Sequence, residues 1–401
     1  MFLRIKNIKK GSGYSMKKLI FLIFACAIIA VSIGSCGSGS LISAGNINNY
    51  GYVLVDGNDI YYTKVIITDM NYYGNIYKYN TATKQEEIVA ETIVDFPNQM
   101  NAFLTLYNGD LYFLPYFLHE SIAESSPYIY KVKPDGKNIV PEPVFEDDAS
   151  ITFMQIVDRT LYYYDDAEGI LYSMNPNGTN RKAVCEAMMS GISISGGKAY
   201  FTDYEFLQSV SLKGGEPELI FDFSELEEPI YLKNIVVDGN FIYYSEYDGT
   251  RIGRIRTNGT NNEDIYISGA GEYINFFNVS GDMMYIVVEN YGREQNHAVI
   301  AVSASGGNSR VIVSDSENLG DILPVLIWGE TIYLSGMPIF EMMESEYVWF
   351  TVKKSGGNLV PWKAFSIVSE DYSIEEDWDD ENWDDWDDWD DENWDDWDDE
   401  E

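Results

Sequence analysis

Val55-Asp-Gly-Asn-Asp-Ile-Tyr61-Tyr62 is the stretch that decides the fold, because its tyrosine-bearing pattern recurs seven times along the chain. The aligned tyrosines are Tyr61, Tyr112, Tyr162, Tyr200, Tyr243, Tyr285 and Tyr333. Successive tyrosines are separated by 51, 50, 38, 43, 42 and 48 residues. A period of about 45 residues is the size of one four-stranded propeller blade.

Each repeat contains four short segments that are rich in β-forming residues and are separated by turns. In the fifth repeat these segments are residues 233–237, 241–245, 251–256 and 263–267. The turn dipeptides Asp238-Gly239 and Asn258-Gly259 supply the positive φ that two-residue hairpins need. The pattern predicts an all-β protein, a β-propeller of seven four-stranded blades over residues 49–368. Six or eight blades stay open because the first and last repeats could share a blade. A β-solenoid competes, but its coils are shorter.

The repeats follow a consensus, V-D-G-N-x-I-Y-Y-S and then I-x-R-I-x-T-N-G-T, as in residues 237–245 and 252–260. They resemble a bacterial family of low-density-lipoprotein-receptor-related-protein-like β-propellers, and the resemblance covers the whole repeat region. It implies an extracytoplasmic propeller and defines no ligand, because the family is a domain of unknown function. The chain lacks the Tyr-Trp-Thr-Asp motif of the receptors themselves; residues 61–64 come nearest to it.

The N-terminus reads as a processed leader. A basic start at Met16 precedes an apolar run of 15 residues at 19–33, whereas a spanning helix needs about 20. We therefore predict a signal peptide over residues 1–35, with translation starting at Met16. Ile33-Gly-Ser-Cys36 resembles the bacterial lipobox, which implies that Cys36 carries diacylglycerol and is followed by a flexible linker to residue 48. The alternative is ordinary cleavage and free secretion. Either route is extracytoplasmic, and lipidation would anchor the protein to the bacterial cell membrane.

Charge and cysteine content exclude several kinds of partner and site. The net charge is −39, from 26 basic and 65 acidic residues, so nucleic acid is not expected as a partner. Of the three cysteines, only Cys185 lies beyond the predicted lipidation site. We interpret it as a small buried hydrophobic residue. We therefore predict no disulfide framework, no metal site and no cofactor in the propeller.

The C-terminal segment over residues 369–401 is an acidic repeat. Asp377–Asp387 recurs identically as Asp388–Asp398, and we predict that the free tail is disordered because dense like charge opposes folding. Its tryptophans would fall on one arc if the tail became helical. We interpret the tryptophans as an interaction surface that becomes folded when the tail binds a basic partner, or when its carboxylates bind Ca²⁺ weakly. The alternative is a low-complexity repeat that only keeps the protein soluble. The tryptophans are Trp378, Trp383, Trp386, Trp389, Trp394 and Trp397.

Candidate binding residues lie in the connections between the second and third strands of the blades. The long connections are expected at residues 63–75, 114–127, 289–297 and 335–346. Variable loops on a rigid scaffold commonly carry binding sites, and these loops are aromatic and acidic, which suits sugars or cationic peptides. The alternative is that the tyrosines cap blades and the acids keep the surface soluble. The candidates are Tyr72, Tyr73, Tyr116, Phe117, Asp203, Tyr204, Tyr247, Asp248 and Tyr291.

Catalytic motifs are missing from the sequence. The two histidines, His119 and His297, fall in predicted loops, and no nucleophile elbow or phosphate loop is found. Asp165-Asp166 could serve as a glycosidase pair, but such adjacency is expected by chance among 65 acids. We therefore predict a non-enzymatic binding or scaffold module for an envelope protein or polysaccharide. The alternatives are an extracytoplasmic hydrolase and an accessory subunit of an envelope complex. Acids clustered at the central channel would favour catalysis.

Overall fold

Seven blades of four antiparallel strands surround one axis, as the repeat predicts. The computed structural model describes residues 43–68, 71–91, 99–117, 126–290, 296–315, 325–336 and 348–364. Blades 1 and 7 each have four strands of their own in chain order, so the first and last repeats do not share a composite blade. The predicted signal peptide, Cys36 and the acidic tail lie outside the described residues.

The first three blades form one continuous hydrogen-bonded sheet. Their strands are β1 (Val53–Asp56), β2 (Asp59–Thr68), β3 (Asn71–Asn80), β4 (Glu86–Ala90), β5 (Gln99–Tyr107), β6 (Asp110–Phe117), β7 (Ser126–Val132), β8 (Glu142–Val157), β9 (Thr160–Asp165), β10 (Ile170–Met174) and β11 (Lys182–Glu186). The long strand β8 serves two blades, because its first half pairs with β7 and its second half pairs with β9.

Blades 4 to 7 are separate four-stranded sheets. Their strands are β12 (Gly191–Ser195), β13 (Lys198–Asp203), β14 (Phe206–Ser211), β15 (Glu218–Asp222), β16 (Leu232–Asp238), β17 (Phe241–Glu246), β18 (Arg251–Arg256), β19 (Glu263–Ile267), β20 (Glu272–Ser280), β21 (Met283–Asn290), β22 (Asn296–Ser303), β23 (Arg310–Asp315), β24 (Leu326–Trp328), β25 (Thr331–Gly336), β26 (Val348–Lys353) and β27 (Val360–Ala364). The first strand of each blade is buried towards the axis, and the fourth is partly exposed.

The glycine-rich turns gather on one face of the propeller. In blade 5 the N–H of Thr257 donates to the carbonyl of Asn240 at 3.0 Å, which ties the 3–4 turn to the 1–2 turn, and blades 6 and 7 repeat this bond. Gly259 has a φ of 81°, and a Cβ there would lie 2.3 Å from the carbonyl oxygen of Ile220 in the preceding blade. We call this surface the turn face; it is formed by residues 57–58, 81–85, 108–109, 133–141, 158–159, 175–181, 196–197, 212–217, 239–240, 257–262, 281–282, 304–309, 329–330 and 354–359.

The opposite surface carries the 2–3 turns and the connections between blades, and we call it the loop face. In the described chain it is formed by residues 166–169, 187–190, 204–205, 223–231, 247–250 and 268–271. The two faces follow from the antiparallel order of the strands, in which alternate connections must lie at opposite ends of a blade.

Adjacent tyrosines of the repeat pack into different cores, as their alternation predicts. Tyr61 belongs to one buried cluster and Tyr62 to another. Tyr243 and Tyr244 are divided in the same way. Blades 1 and 5 therefore bury an aromatic side chain in each of two different cores, which packs them against both neighbours.

Three tryptophans of blade 7 close the ring against blade 1. The indole N–H of Trp328 donates to the carbonyl of Val53 at 3.0 Å, and that of Trp349 donates to the carbonyl of Thr63 at 2.9 Å. The ring of Trp362 lies 4.9 Å from that of Tyr62. Because blades 1 and 7 exchange no strand, these contacts perform the closure that a shared blade would provide.

A short N-terminal segment fills the central channel. Helix α1 (Ala44–Ile47) contacts the innermost strands β12, β16, β20 and β24. The Asn46 side chain bonds both the N–H and the carbonyl of Ile327, at 2.8 and 2.9 Å, and its oxygen also accepts from the amide of Asn278. Asn49 joins the N–H of Val325 to the carbonyl of Phe277. We call residues 43–51 the plug.

Because the plug is packed inside the propeller, the packed domain begins before residue 49, where the sequence predicts its start. Residues 43–48, which the sequence assigns to a flexible linker, include the buried Gly45, Asn46 and Ile47. A Cβ on Gly45 would lie 2.0 Å from the side-chain oxygen of Asn278, so this close packing needs glycine. Among the described residues, the helical segment is far too short to cross a membrane.

We expect Asn46→Ala to destabilise the propeller by about 3 kcal/mol, because it removes the partner of the buried N–H and carbonyl of Ile327 and one of the two acceptors of the Asn278 amide. Denaturant unfolding would measure the loss. Asn48→Ala is the matched control, since the side-chain oxygen of Asn48 makes no hydrogen bond, and it should cost about 0.5 kcal/mol or less. Equal effects of the two substitutions would contradict the role assigned to the plug.

Candidate functional site

The structure brings three of the predicted residues together on the loop face. Tyr204, Tyr247 and Asp248 line a groove of about 490 Å³ between blades 4 and 5. Asp203 ends strand β13, immediately before Tyr204. We call this site the tyrosine groove; its lining is completed by Glu228, Pro229, Ile230, Tyr231, Glu246, Thr250 and Arg251.

The groove collects the exposed tyrosines of the described chain. Tyr204, Tyr231 and Tyr247 are 46%, 53% and 61% exposed, and they are the tyrosines among its exposed large hydrophobic residues. The repeat tyrosines, in contrast, are buried in the blade cores. Exposed aromatic side chains concentrated in one concave site are typical of a binding surface rather than of blade packing.

Backbone hydrogen bonds hold the three tyrosines in place. The carbonyl of Tyr204 accepts from the N–H of Leu232, and the carbonyl of Tyr231 accepts from the N–H of Tyr247, both at 2.7 Å. The hydroxyl of Tyr273 donates to the carbonyl of Tyr247 at 3.1 Å. Tyr204 has a φ of 50°, which non-glycine residues adopt at a cost. The groove is therefore a constrained junction of two blades.

A buried carboxyl group lies on the floor of the groove. Glu246 is 5% exposed and accepts a hydrogen bond from the hydroxyl of Thr250 at 2.7 Å. That hydroxyl also lies 2.9 Å from Asp248, and Arg251 Nε lies 3.3 Å from Glu246 Oε1. Burial raises the pKa of Glu246, while the Thr250 hydrogen bond and the Arg251 charge oppose the rise. The floor can thus present negative charge to a cation, or oxygen acceptors to a hydroxyl group.

The sequence reasoning missed the part of the groove that comes from the connection between blades 4 and 5. Tyr231 and Glu228 lie in the connection between β15 and β16, whereas the prediction concentrated on the 2–3 turns. The signal was the acidic stretch Glu227-Glu-Pro-Ile-Tyr231, which ends in an aromatic residue immediately before a strand.

Several predicted loop residues belong to strands instead. Tyr72 and Tyr73 lie in β3, because β2 and β3 pair without interruption from Asp59↔Asn80 to Thr68↔Asn71. The predicted loop at 63–75 is therefore a long hairpin, and its run of β-branched residues continues the strand. Tyr116 and Phe117 likewise belong to β6. Tyr291 lies outside the described residues.

His297 and Asp165 lie buried in strands rather than exposed in loops. His297 lies in β22, 1% exposed, with its Nε2 3.7 Å from Glu289. Asp165 ends β9 and is buried, and its carboxylate accepts from the N–H of Ser150 at 3.1 Å. The Asp165-Asp166 pair is therefore divided between a buried turn-capping group and an exposed one.

A second, smaller cavity of about 250 Å³ opens beside the plug on the loop face. Its walls include Tyr50, Phe103, Phe153 and Asn234, which come from the plug and from innermost strands. The channel beneath it is occupied by the amide side chains of Asn46, Asn49 and Asn278. The described part of the channel thus holds amide side chains that are bonded to innermost strands.

Nucleophilic and metal-binding chemistry finds little support among the described residues. The described part of the chain contains no group of three His, Cys, Asp or Glu side chains placed to hold a metal ion. Cys185 is buried in β11, as predicted, and burial raises the pKa of its thiol to about 11. The thiolate is therefore scarce at neutral pH.

Comparison with protein-family models and with curated proteins finds no match. Solved structures do match. A prolyl endopeptidase aligns with a TM-score of 0.57 and 9% identity, over 88% of this chain and 56% of that chain. YCF48 bound to a D1 peptide aligns with a TM-score of 0.50 and 10% identity, over 74% of this chain and 96% of that chain. The oligogalacturonate lyase of Vibrio parahaemolyticus aligns with a TM-score of 0.48 and 11% identity, over 78% of this chain and 87% of that chain.

These similarities show the propeller fold alone. This chain spans little more than half of the endopeptidase chain that it matches. The resemblance to the receptor-related bacterial propellers therefore stays a prediction.

We expect Glu246→Gln to change the pH dependence of stability. A folded-state pKa above the ordinary value of 4.5 means that Glu246 contributes most below that pH and less as the pH rises through its folded pKa. The stability of the wild type relative to the variant should therefore fall as the pH rises from 4.5 through the folded pKa of Glu246. Denaturant midpoints measured across this range would test it.

Glu186→Gln, which removes an exposed carboxylate of β11, controls for the loss of one charge. A difference between wild type and Glu246→Gln that stays constant with pH would contradict the assignment.

Proposed function

We propose that this protein is a lipid-anchored, extracytoplasmic propeller that binds an envelope protein or glycan in the tyrosine groove without catalysing a reaction. The observation that carries the proposal is the convergence of Tyr204, Tyr231 and Tyr247 on one concave site of the loop face. Aromatic side chains with few rotatable bonds supply large contact area at low entropic cost, and they are enriched in binding hot spots.

The chemistry of the groove defines two ligand classes. Tyrosine rings beside Glu246, Asp248 and the exposed Glu228 attract a Lys or Arg side chain through both charge and the ring quadrupole. The same rings can stack on a sugar while the carboxylates accept its hydroxyl groups. A cationic peptide and a neutral glycan are therefore the ligands that this site suits.

The hydrolase alternative needs a constellation of reacting groups. Among the described residues, the channel holds amides, and the acids of the groove include one that is buried and bonded to Thr250. Prolyl endopeptidases share this fold, and so does a propeller that binds a peptide, so the fold itself does not discriminate. The exposed aromatic lining favours binding.

We expect the triple substitution Tyr204→Ala, Tyr231→Ala and Tyr247→Ala to weaken binding to isolated cell envelopes by about 100-fold or more, since hot-spot aromatics each contribute about 1–3 kcal/mol. Co-sedimentation of the labelled protein with envelopes would measure the affinity. The matched control replaces Leu219, Val311 and Val360 with Ala, because these residues are exposed on outer strands and do not line the groove. Unchanged binding by the tyrosine variant would exclude the groove.

We expect Cys36→Ala to move the protein from the membrane fraction to the soluble extracytoplasmic fraction, because one residue would no longer carry the anchoring lipid. Cell fractionation followed by immunoblotting would test this. A pull-down of the lipidated protein, with and without residues 369–401, would separate partners of the propeller from partners of the tail. Retention of Cys36→Ala in the membrane would contradict lipid anchoring.

A further inference from the structure

We infer that the turn face is the membrane-facing surface of the propeller, so that the loop face and its tyrosine groove point away from the bilayer. The inference rests on the anchor at Cys36 in the proposed function. It is carried by two independent observations, which are the direction of the chain through the channel and the unequal charge of the two faces.

The plug runs from the turn face towards the loop face. Asn46 bonds Ile327, which lies two residues before the 1–2 turn of blade 7. Asn49 bonds Val325, which lies two residues further from that turn. At about 3.3 Å per residue, the chain descends about 7 Å between these two contacts.

The next contacts continue the same path. The carbonyls of Tyr50 and Gly51 accept from Phe103 and Leu104, which lie four to five residues from the turn of blade 2. Residue 43 therefore lies at the turn-face end of the channel, and the chain preceding it leaves the propeller on that side.

The tether to Cys36 is too short to reach the other face. Residues 36 and 43 are seven peptide units apart, which spans at most about 25 Å. A path from the axis to the loop face must cross four strands, about 15 Å, and then the depth of a six-residue strand, about 20 Å. The anchor would therefore remain on the side of the turn face.

The charges of the two faces agree with this orientation. With the exposed Asp56 and Asp238, which open two Asp-Gly turns, the turn face carries seven bases and seven acids; the bases are Lys84, Lys133, Lys137, Arg159, Arg181, Lys213 and Lys354. The described residues of the loop face include seven acids and no base. An anionic lipid surface therefore repels the loop face and leaves the neutral turn face free to approach. The overall charge of −39 conceals this polarity.

The last strand places the other end of the chain. Strand β27 pairs antiparallel with β26, and Ala364 lies opposite Val348 at the loop-face end of blade 7. The two ends of the propeller therefore leave by opposite faces. In this orientation the acidic tail begins on the side of the tyrosine groove, away from the anionic bilayer.

Site-specific fluorescence quenching would test the orientation. Asn240→Cys places a label on the turn face, and Ala167→Cys places one on the loop face outside the groove; both positions are exposed. Cys185 is buried, so the introduced thiol takes the label. The lipidated full-length protein would be reconstituted in phosphatidylglycerol–phosphatidylethanolamine vesicles that carry a short-range quencher on their headgroups.

We expect quenching several-fold stronger at Asn240→Cys than at Ala167→Cys. Equal or reversed quenching would overturn the inference. Mass spectrometry of the N-terminal peptide separates the two proposals: an unmodified Cys36 would overturn both the anchor and the orientation. A lipidated Cys36 with reversed quenching would overturn the orientation alone.

Discussion

Closure of the ring is the constraint on which the rest of the structure depends. A propeller whose first and last blades exchange no strand needs other contacts between them. Here Trp328 and Trp349 donate to carbonyls of blade 1, and the ring of Trp362 packs at a steep angle against its tyrosines. The plug adds a second closure along the axis, where Asn46 and Asn49 connect the innermost strands of blades 6 and 7. Amide side chains suit this position because each both donates and accepts.

A closed ring makes the junctions between blades rigid, and the tyrosine groove is built at one of them. Its rings come from a 2–3 turn of blade 4, an inter-blade connection and a 2–3 turn of blade 5. Backbone hydrogen bonds between Tyr204 and Leu232, and between Tyr231 and Tyr247, join these three segments. A ligand that enters the groove therefore meets a preformed surface, which lowers the entropic cost of binding.

The two faces of the propeller differ in charge and in exposed aromatic residues. Tight turns with balanced charge cover one face, and acidic connections with exposed tyrosines cover the other. The plug fills the channel between them, so the loop face carries the described cavities. This division fits the proposed arrangement, in which the protein is held from one side and binds from the other.

The amino-acid sequence by itself determined the blades and the two faces, because paired tyrosines and Asn-Gly or Asp-Gly turns act over a few residues and recur with the period of a blade. It identified Tyr204, Tyr247 and Asp248 individually. Only the tertiary structure decided that they meet with Tyr231, that residues 63–75 extend a hairpin, and that residues 43–51 fill the channel. These features depend on strand register and on packing between distant segments, and short-range patterns do not encode either.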